Sequence, residues 1–370
     1  MRLAYSDVAM SETDEVVERE NDLAEQGEPT EHKPRHRVRK ALLGLAACGV
    51  LLIALVFGVG LYLQHKLTSQ IDRIPDAFAG LENRPAKSGD SLNILLMGSD
   101  RRAEEQTTGD AATTDSWIPG EQRSDTLMVL HISDDRDSAS VVSIPRDSYV
   151  EVPGHGKDKI NAAFSYGGPS LAVETVENLT DVRIDHVALI DWEGFERLTD
   201  ALGGVEVTVP ETVEDTKHDQ TWTKGSHNLN GEDALLYVRQ RYGLPGGDFD
   251  RIKRQQAFMR SLLGETLSGD TMRSPTTLYD VLDAVTDNLS VDEGWEVGDM
   301  RGLAWDLRGL RTADVDFTTV PVKGTGMVGD ASVVFLDKPA GKQMWAALRD
   351  DDFGTWIAGN PDVELPKKVN

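Results

Sequence analysis

A chain of 370 residues, 39% hydrophobic and 27% charged, has a globular composition and length enough for one large or two ordinary domains. Its formal net charge of −25 and pI near 4.6 exclude an electrostatic stripe for nucleic acid, because phosphate-backbone binding needs a concentrated Lys/Arg surface that releases counterions. The single cysteine, Cys48, excludes a disulfide framework or a Cys-based zinc site within one chain, so stability must come from packing.

The first 32 residues are rich in Glu and Asp and carry no helical stripe, the composition of a disordered tail; with the basic flank that follows, this tail runs over 1–40. From Ala41 to Leu63 the chain is uncharged and exceeds the roughly 20 residues that cross a bilayer, which predicts a transmembrane helix over 41–63. Lys33, Arg35, Arg37, Arg39 and Lys40 precede it and only His65 and Lys66 follow closely, so the positive-inside rule puts the N-terminus in the cytoplasm and the rest outside. A cleaved signal peptide is the rival reading, and Ala77-Phe78-Ala79 has the small-x-small form of a cleavage site. The apolar run is longer than the roughly 7–15 residues of such a segment, and the Ala pair lies far beyond its end. Residues 64–90 read as a membrane-proximal helix and linker closing in the breaker cluster Arg84-Pro85-Ala86-Lys87-Ser88-Gly89-Asp90. A folded domain is expected over 91–355, with a tail over 356–370.

Within that domain the periodicities alternate, which predicts an α/β fold: a central mixed sheet flanked by helices. Asn93–Met97, Leu127–Ile132 and Ala139–Ile144 are short apolar or β-branched runs that read as buried strands. Helices are predicted at 170–179, 192–202, 231–238 behind an Asn230 cap, and 250–267, with strands at 186–190 and 205–209. Helical patterns near 277–288, 294–310 and 339–348 and strands near 315–320 and 332–336 complete the chain.

Arg123, Arg146, Arg239, Arg241 and Arg251 stand in unusual local contexts for so acidic a protein: Arg123-Ser124-Asp125-Thr126, Pro145-Arg146-Asp147 and Arg239-Gln240-Arg241. Guanidinium stays charged and grips phosphate oxygens in pairs, so a site for phosphate or pyrophosphate is expected. Asp100 ends one strand and Asp125 begins the next; adjacent pairing brings both carboxylates to one sheet edge, an arrangement that can hold Mg²⁺ with water and phosphate completing the shell. Arg239 and Arg241, two residues apart, would diverge by about 200° on a continuous helix; they converge only if the helix ends near Val238 and the chain is then extended. Arg251, Arg254 and Gln255 share a helical face at a helix N-terminus, a favourable place for an anion. Asp147 and Asp248 are candidates for deprotonating a hydroxyl, and Lys159 can reach a phosphate. Pattern alone leaves ordinary alternatives open: Arg-x-Asp and Arg-Asp pairs are often strand-end ion pairs, Lys159-Ile160-Asn161 and Gly167-Gly168-Pro169 read as turn and cap elements, and the histidines read as ordinary surface or strand residues. Leu171, Val173, Val176 and Leu179, with Phe195, Leu198, Phe258 and Leu262, fit either a lipid slot or plain core.

The ordered series Asn93-Ile94-Leu95-Leu96-Met97-Gly98-Ser99-Asp100, Arg123-Ser124-Asp125-Thr126, Ser143-Ile144-Pro145-Arg146-Asp147, Lys159-Ile160-Asn161-Ala162-Ala163-Phe164, Tyr166-Gly167-Gly168-Pro169, Leu202-Gly203-Gly204-Val205, Val238-Arg239-Gln240-Arg241 and Asp248-Phe249-Asp250-Arg251-Ile252-Lys253-Arg254-Gln255-Gln256 resembles the LytR-CpsA-Psr family. The resemblance implies an extracytoplasmic phosphotransferase of Gram-positive and actinobacterial envelopes. Such an enzyme moves a glycopolymer from a polyprenyl-pyrophosphate carrier to peptidoglycan and releases polyprenyl phosphate. It also implies a divalent cation, Mg²⁺ or Mn²⁺, at Asp100 and Asp125. The long polar spacer between Asp100 and Arg123 departs from the family pattern. Hydrolysis of the carrier pyrophosphate, transfer to a surface protein and non-enzymatic lipid binding are the competing functions.

Overall fold

The computed structural model describes residues 71–100 and 123–365. The acidic tail, the predicted span Ala41–Leu63 and the polar spacer after Asp100 lie outside them. All elements below belong to the unit Gln64–Asn370.

The centre is a seven-stranded mixed sheet, β1-β12-β7-β2-β3-β4-β13, of β1 (Asp72–Ile74), β2 (Leu92–Asp100), β3 (Arg123–Ile132), β4 (Ala139–Ile144), β7 (His186–Asp191), β12 (Leu289–Asp292) and β13 (Val315–Thr319). The run Asn93–Met97 is mostly buried because both faces of the sheet are covered. Leu95, Met97, Leu127, Val129, Val142, Ile144, Val187 and Leu189 meet α1 (Ile160–Thr180) and α8 (Lys338–Arg349) on one face. On the other, Ile94, Met128, Val141, Ala188 and Val291 meet α4 (Asp248–Thr266) and α7 (Val297–Asp306). Each large side chain so buried contributes about 1.5–3 kcal/mol. A third cluster joins the hairpin of β8 (Val205–Val209) and β11 (Gly225–Leu229) to α2 (Trp192–Ala201), α3 (Gly231–Arg239) and α4.

The predicted strands and most predicted helices are present within a few residues, and Asn230 caps α3 as expected, its side chain accepting from the Asp233 amide at 2.8 Å. Three expectations are corrected. The folded unit begins before Ser91: β1 pairs parallel with β12, Ile74 and Ala77 lie in the core, and Arg84 reaches the buried Glu177 on α1 at 2.7 Å, so this stretch is no free linker. It also continues past residue 355, since the Leu365 amide donates to the Phe317 carbonyl at 2.8 Å and its side chain is buried. The helix expected at 170–179 starts at Ile160 and is kinked at Gly167 and Gly168, where φ of +65° at Gly168 and the missing N–H of Pro169 interrupt the ladder. The hairpins of β5 (Tyr149–Val152) with β6 (Gly156–Lys159), and of β9 (Val213–Asp215) with β10 (Gln220–Trp222), were not expected.

Candidate functional site

Strand polarity brings the predicted residues to one edge. β2 runs parallel to β7 and antiparallel to β3, and β3 is antiparallel to β4. The carboxyl ends of β2, β4 and β7 and the start of β3 therefore share one side of the sheet, where ligands gather in open α/β sheets. A cavity of about 760 Å³ opens there, lined by Asp125, Arg146, Asp147, Lys159, Arg239, Arg241, Arg251 and Gln255 among others.

Asp125 sits at a break in register. Gly98 pairs with Thr126 and Ser99 with Ser124, so Asp125 has no partner across the ladder, and such a bulge re-aims a side chain. Its Oδ1 takes the Nη1 hydrogen of Arg146, which follows β4 after Pro145. Arg146 Nε also lies 3.6 Å from Asp147 Oδ2 and 3.9 Å from Asp248 Oδ1. Burial alone would lower the Arg146 pKa; Asp125, Asp248 and Asp147 outweigh it and hold it above the ordinary value. Asp147 Oδ1 in turn meets Lys159 Nζ at 2.8 Å.

The break predicted between the two arginines is present. α3 ends at Arg239, Gln240 is extended with φ −59° and ψ 134°, and both Arg239 and Arg241 line the cavity. The Arg239 guanidinium lies 5.0 Å above the Trp192 ring. One oxygen, Asp248 Oδ1, faces three guanidiniums: Arg251 at 2.9 Å, Arg241 at 3.4 Å and Arg146 at 3.9 Å. Both Asp248 oxygens are buried, and the residue is absent from the cavity wall. Asp248 thus gathers the arginines from behind, and Asp147 is the base candidate that reaches the cavity.

Arg254 is a correction. Arg251 and Gln255 face the cavity, but Arg254 is fully buried, 4.4 Å from the Tyr237 ring, with Nη1 donating to Gln240 Oε1 at 2.5 Å. A step of about 100° per residue turns it beneath the site. Asp100 and Arg123 pair across the strand ends at the same edge; their side chains lie outside the described residues. The proposed lipid slot is also resolved: Val173 and Val176 belong to the core beneath the sheet, and Phe195, Leu198, Phe258 and Leu262 to the cluster under β8. None lines the cavity.

Sequence reasoning missed Tyr166, Trp192, Glu196, Lys217, His218, Glu232, Leu235 and Leu236 of the cavity wall. Trp192 was within reach, since it directly follows β7 at the same edge. Lys217 and His218 come from the β9–β10 hairpin, which leans so closely on the 240s loop that a Cβ at Gly243 would meet the Glu214 carbonyl at 2.0 Å. No local pattern announces that approach.

The carboxyl edge of a mixed sheet thus gathers Arg146, Arg239, Arg241 and Arg251 around one cavity. The chain belongs to the LytR_cpsA_psr family, whose profile matches residues 62–350. It is 36% identical to the cell wall biosynthesis protein LcpA of Corynebacterium glutamicum across 70% of its own length, and spans 55% of that relative. It is 33% identical to the polyisoprenyl-teichoic acid–peptidoglycan teichoic acid transferase TagU of Enterococcus faecalis, across 76% of this chain and 86% of that one. The crystal structure of B. subtilis TagV is similar with a TM-score of 0.57 at 27% identity, covering 72% of this chain and 98% of that one.

Proposed function

We propose that this protein is a membrane-anchored, extracytoplasmic phosphotransferase that moves a glycopolymer from a polyprenyl-pyrophosphate carrier to a peptidoglycan hydroxyl. The observation that carries the reading is the gathering of Arg146, Arg239, Arg241 and Arg251 on one cavity; the transfer activity named for TagU, a relative within the same family, supports it. Phosphoryl transfer asks a protein mainly for positioning and charge neutralisation. The acceptor oxygen attacks the sugar-proximal phosphorus, the bridging P–O bond breaks, and polyprenyl phosphate leaves with that electron pair. Asp147, on the cavity wall beside Lys159, is placed to take the hydroxyl proton. The four arginines hold the non-bridging oxygens as charge builds on them.

The residues also fit a divalent cation. Asp100 and Asp125 lie at neighbouring strand ends, and two carboxylates with water and phosphate completing the shell suit Mg²⁺ or Mn²⁺. Bound at Asp100 and Asp125, the ion would supply Lewis-acid charge to the phosphate oxygens.

The test incubates the protein with a lipid-linked pyrophosphate donor and peptidoglycan fragments, following glycan on the fragments by mass spectrometry. Release of lipid phosphate with no adduct, at the same rate without acceptor, would identify a hydrolase instead.

A further inference from the structure

Arg254 has no place in the cavity, yet it is a poor choice for packing. Its side chain is fully buried, Nη1 donates to Gln240 Oε1 at 2.5 Å, and among the described residues Nε and Nη2 have no hydrogen-bond partner. A buried cation with unsatisfied donors lowers stability, and an apolar residue of the same volume generally does better. What the guanidinium touches explains its presence. Gln240, also fully buried, stands between Arg239 and Arg241 and donates from Nε2 to the Tyr242 carbonyl at 2.8 Å. Its amide therefore joins α4 to the turn on which both arginines depend. On the other side of that turn Gln255 Nε2 donates to the Val238 carbonyl at 3.4 Å, and stacking on Tyr237 at 4.4 Å fixes the Arg254 fork from below.

We propose that Arg254 is a positioning residue: through Gln240 it holds the extended Arg239-Gln240-Arg241 turn so that both flanking guanidiniums point into one cavity, and it never touches the substrate. The proposal rests on the phosphate-site reading above. Without the brace, rotation about Gln240 separates the two arginines, and affinity for a doubly held pyrophosphate falls although neither arginine is altered.

The experiment compares Arg254→Met, Arg254→Lys, Gln240→Met and the Arg254→Met/Gln240→Met double variant of the full chain in detergent. Binding of inorganic pyrophosphate is measured by calorimetry, and each Tm alongside. Both methionine variants should weaken pyrophosphate about tenfold with Tm unchanged or raised, and the double variant should be no weaker than either single, because each breaks the same link. Arg254→Lys should recover part of the binding, since an ammonium can still donate to Gln240 Oε1. Gln240→Met is neutral and of similar size, and decides the matter alone if Arg254→Met does not fold. Losses that multiply in the double variant, or pyrophosphate binding equal to wild type in both single variants, would overturn the brace. Arg239→Ala is the reference: if it too binds like wild type, the phosphate site itself falls and the brace with it, whereas weakening there alone removes only the brace.

Discussion

Arg251 Nη2 lies 2.9 Å from Asp248 Oδ1, one turn earlier on α4, which ties a buried cation of the cavity to the carboxylate shared by three guanidiniums. Burial pulls the Arg251 pKa down to about 10; Asp248 and Asp125 oppose that shift, and Arg146 and Arg241 add to it.

A pH dependence follows from that value. The folded pKa is below the unfolded one, so the unfolded chain holds this proton longer as pH rises, and stability gains from this group only above about pH 10. Ligand affinity has the opposite sign, because a phosphate needs the cation. The Arg251 contribution to pyrophosphate binding should be lost as pH rises through about 10, so wild type should bind more tightly than Arg251→Gln below that pH and lose this advantage above it. Calorimetry across about pH 8 to 11 checks this; a wild-type curve matching that of Arg251→Gln would contradict it.

Much of this site was legible because strand ends are legible. Apolar runs located β2, β3, β4 and β7, and a mixed sheet puts residues following the first, third and fourth at one edge with Asp125. The Arg239/Arg241 spacing required a helix stop, which Gln240 supplies. Arg254 misled because a shared helical face says nothing about which neighbour covers it; here Tyr237 and Gln240 do. The segment before Ser91 misled because Pro and Gly suggest a linker, while its anchoring contact, Arg84 with Glu177, spans 93 residues. Such long-range pairings have no local signature.

That contact gives a stability prediction. Glu177 is 3% exposed, pairs with Arg84 at 2.7 Å and accepts from the Ile184 amide at 2.8 Å. Arg84→Ala leaves a buried carboxylate without its cation and should destabilise by about 3–5 kcal/mol. Urea unfolding should show a lower midpoint with an unchanged slope. A loss below about 1 kcal/mol would place this pair with exposed ion pairs.

The charge bias around Ala41–Leu63 predicts topology. A cysteine at Ser88, which is exposed, should react with a membrane-impermeant thiol reagent on intact protoplasts, and one at Thr30 should not. Labelling at Thr30 alone would reverse the orientation and remove the extracytoplasmic activity.

The metal reading predicts that Asp100→Ala and Asp125→Ala lose most turnover while Tm changes little, and that Mg²⁺ binds weakly alone and better with pyrophosphate present. Transfer by wild type in excess chelator at its full rate would show that arginines alone neutralise the phosphates.

The arginines themselves separate charge from geometry. Arg146 meets Asp125 and Asp147, and Arg239 lies over Trp192, so each fork is already oriented by its neighbours. Lysine keeps the charge but loses the paired donors. Arg146→Lys and Arg239→Lys should retain part of donor binding while transfer falls about a hundredfold or more, the usual cost of removing a donor to developing negative charge. Alanine should abolish both. Arg136 is the control: it sits in the β3–β4 turn at the opposite edge of the sheet, donating to the carbonyls of Ser133 at 2.7 Å and Asp90 at 2.9 Å. Its alanine variant can lose some stability but should bind and transfer like wild type. If alanine at Arg146, Arg239 and Arg241 affects donor binding and transfer no more than Arg136→Ala does, these guanidiniums hold the fold together and the phosphate site lies elsewhere.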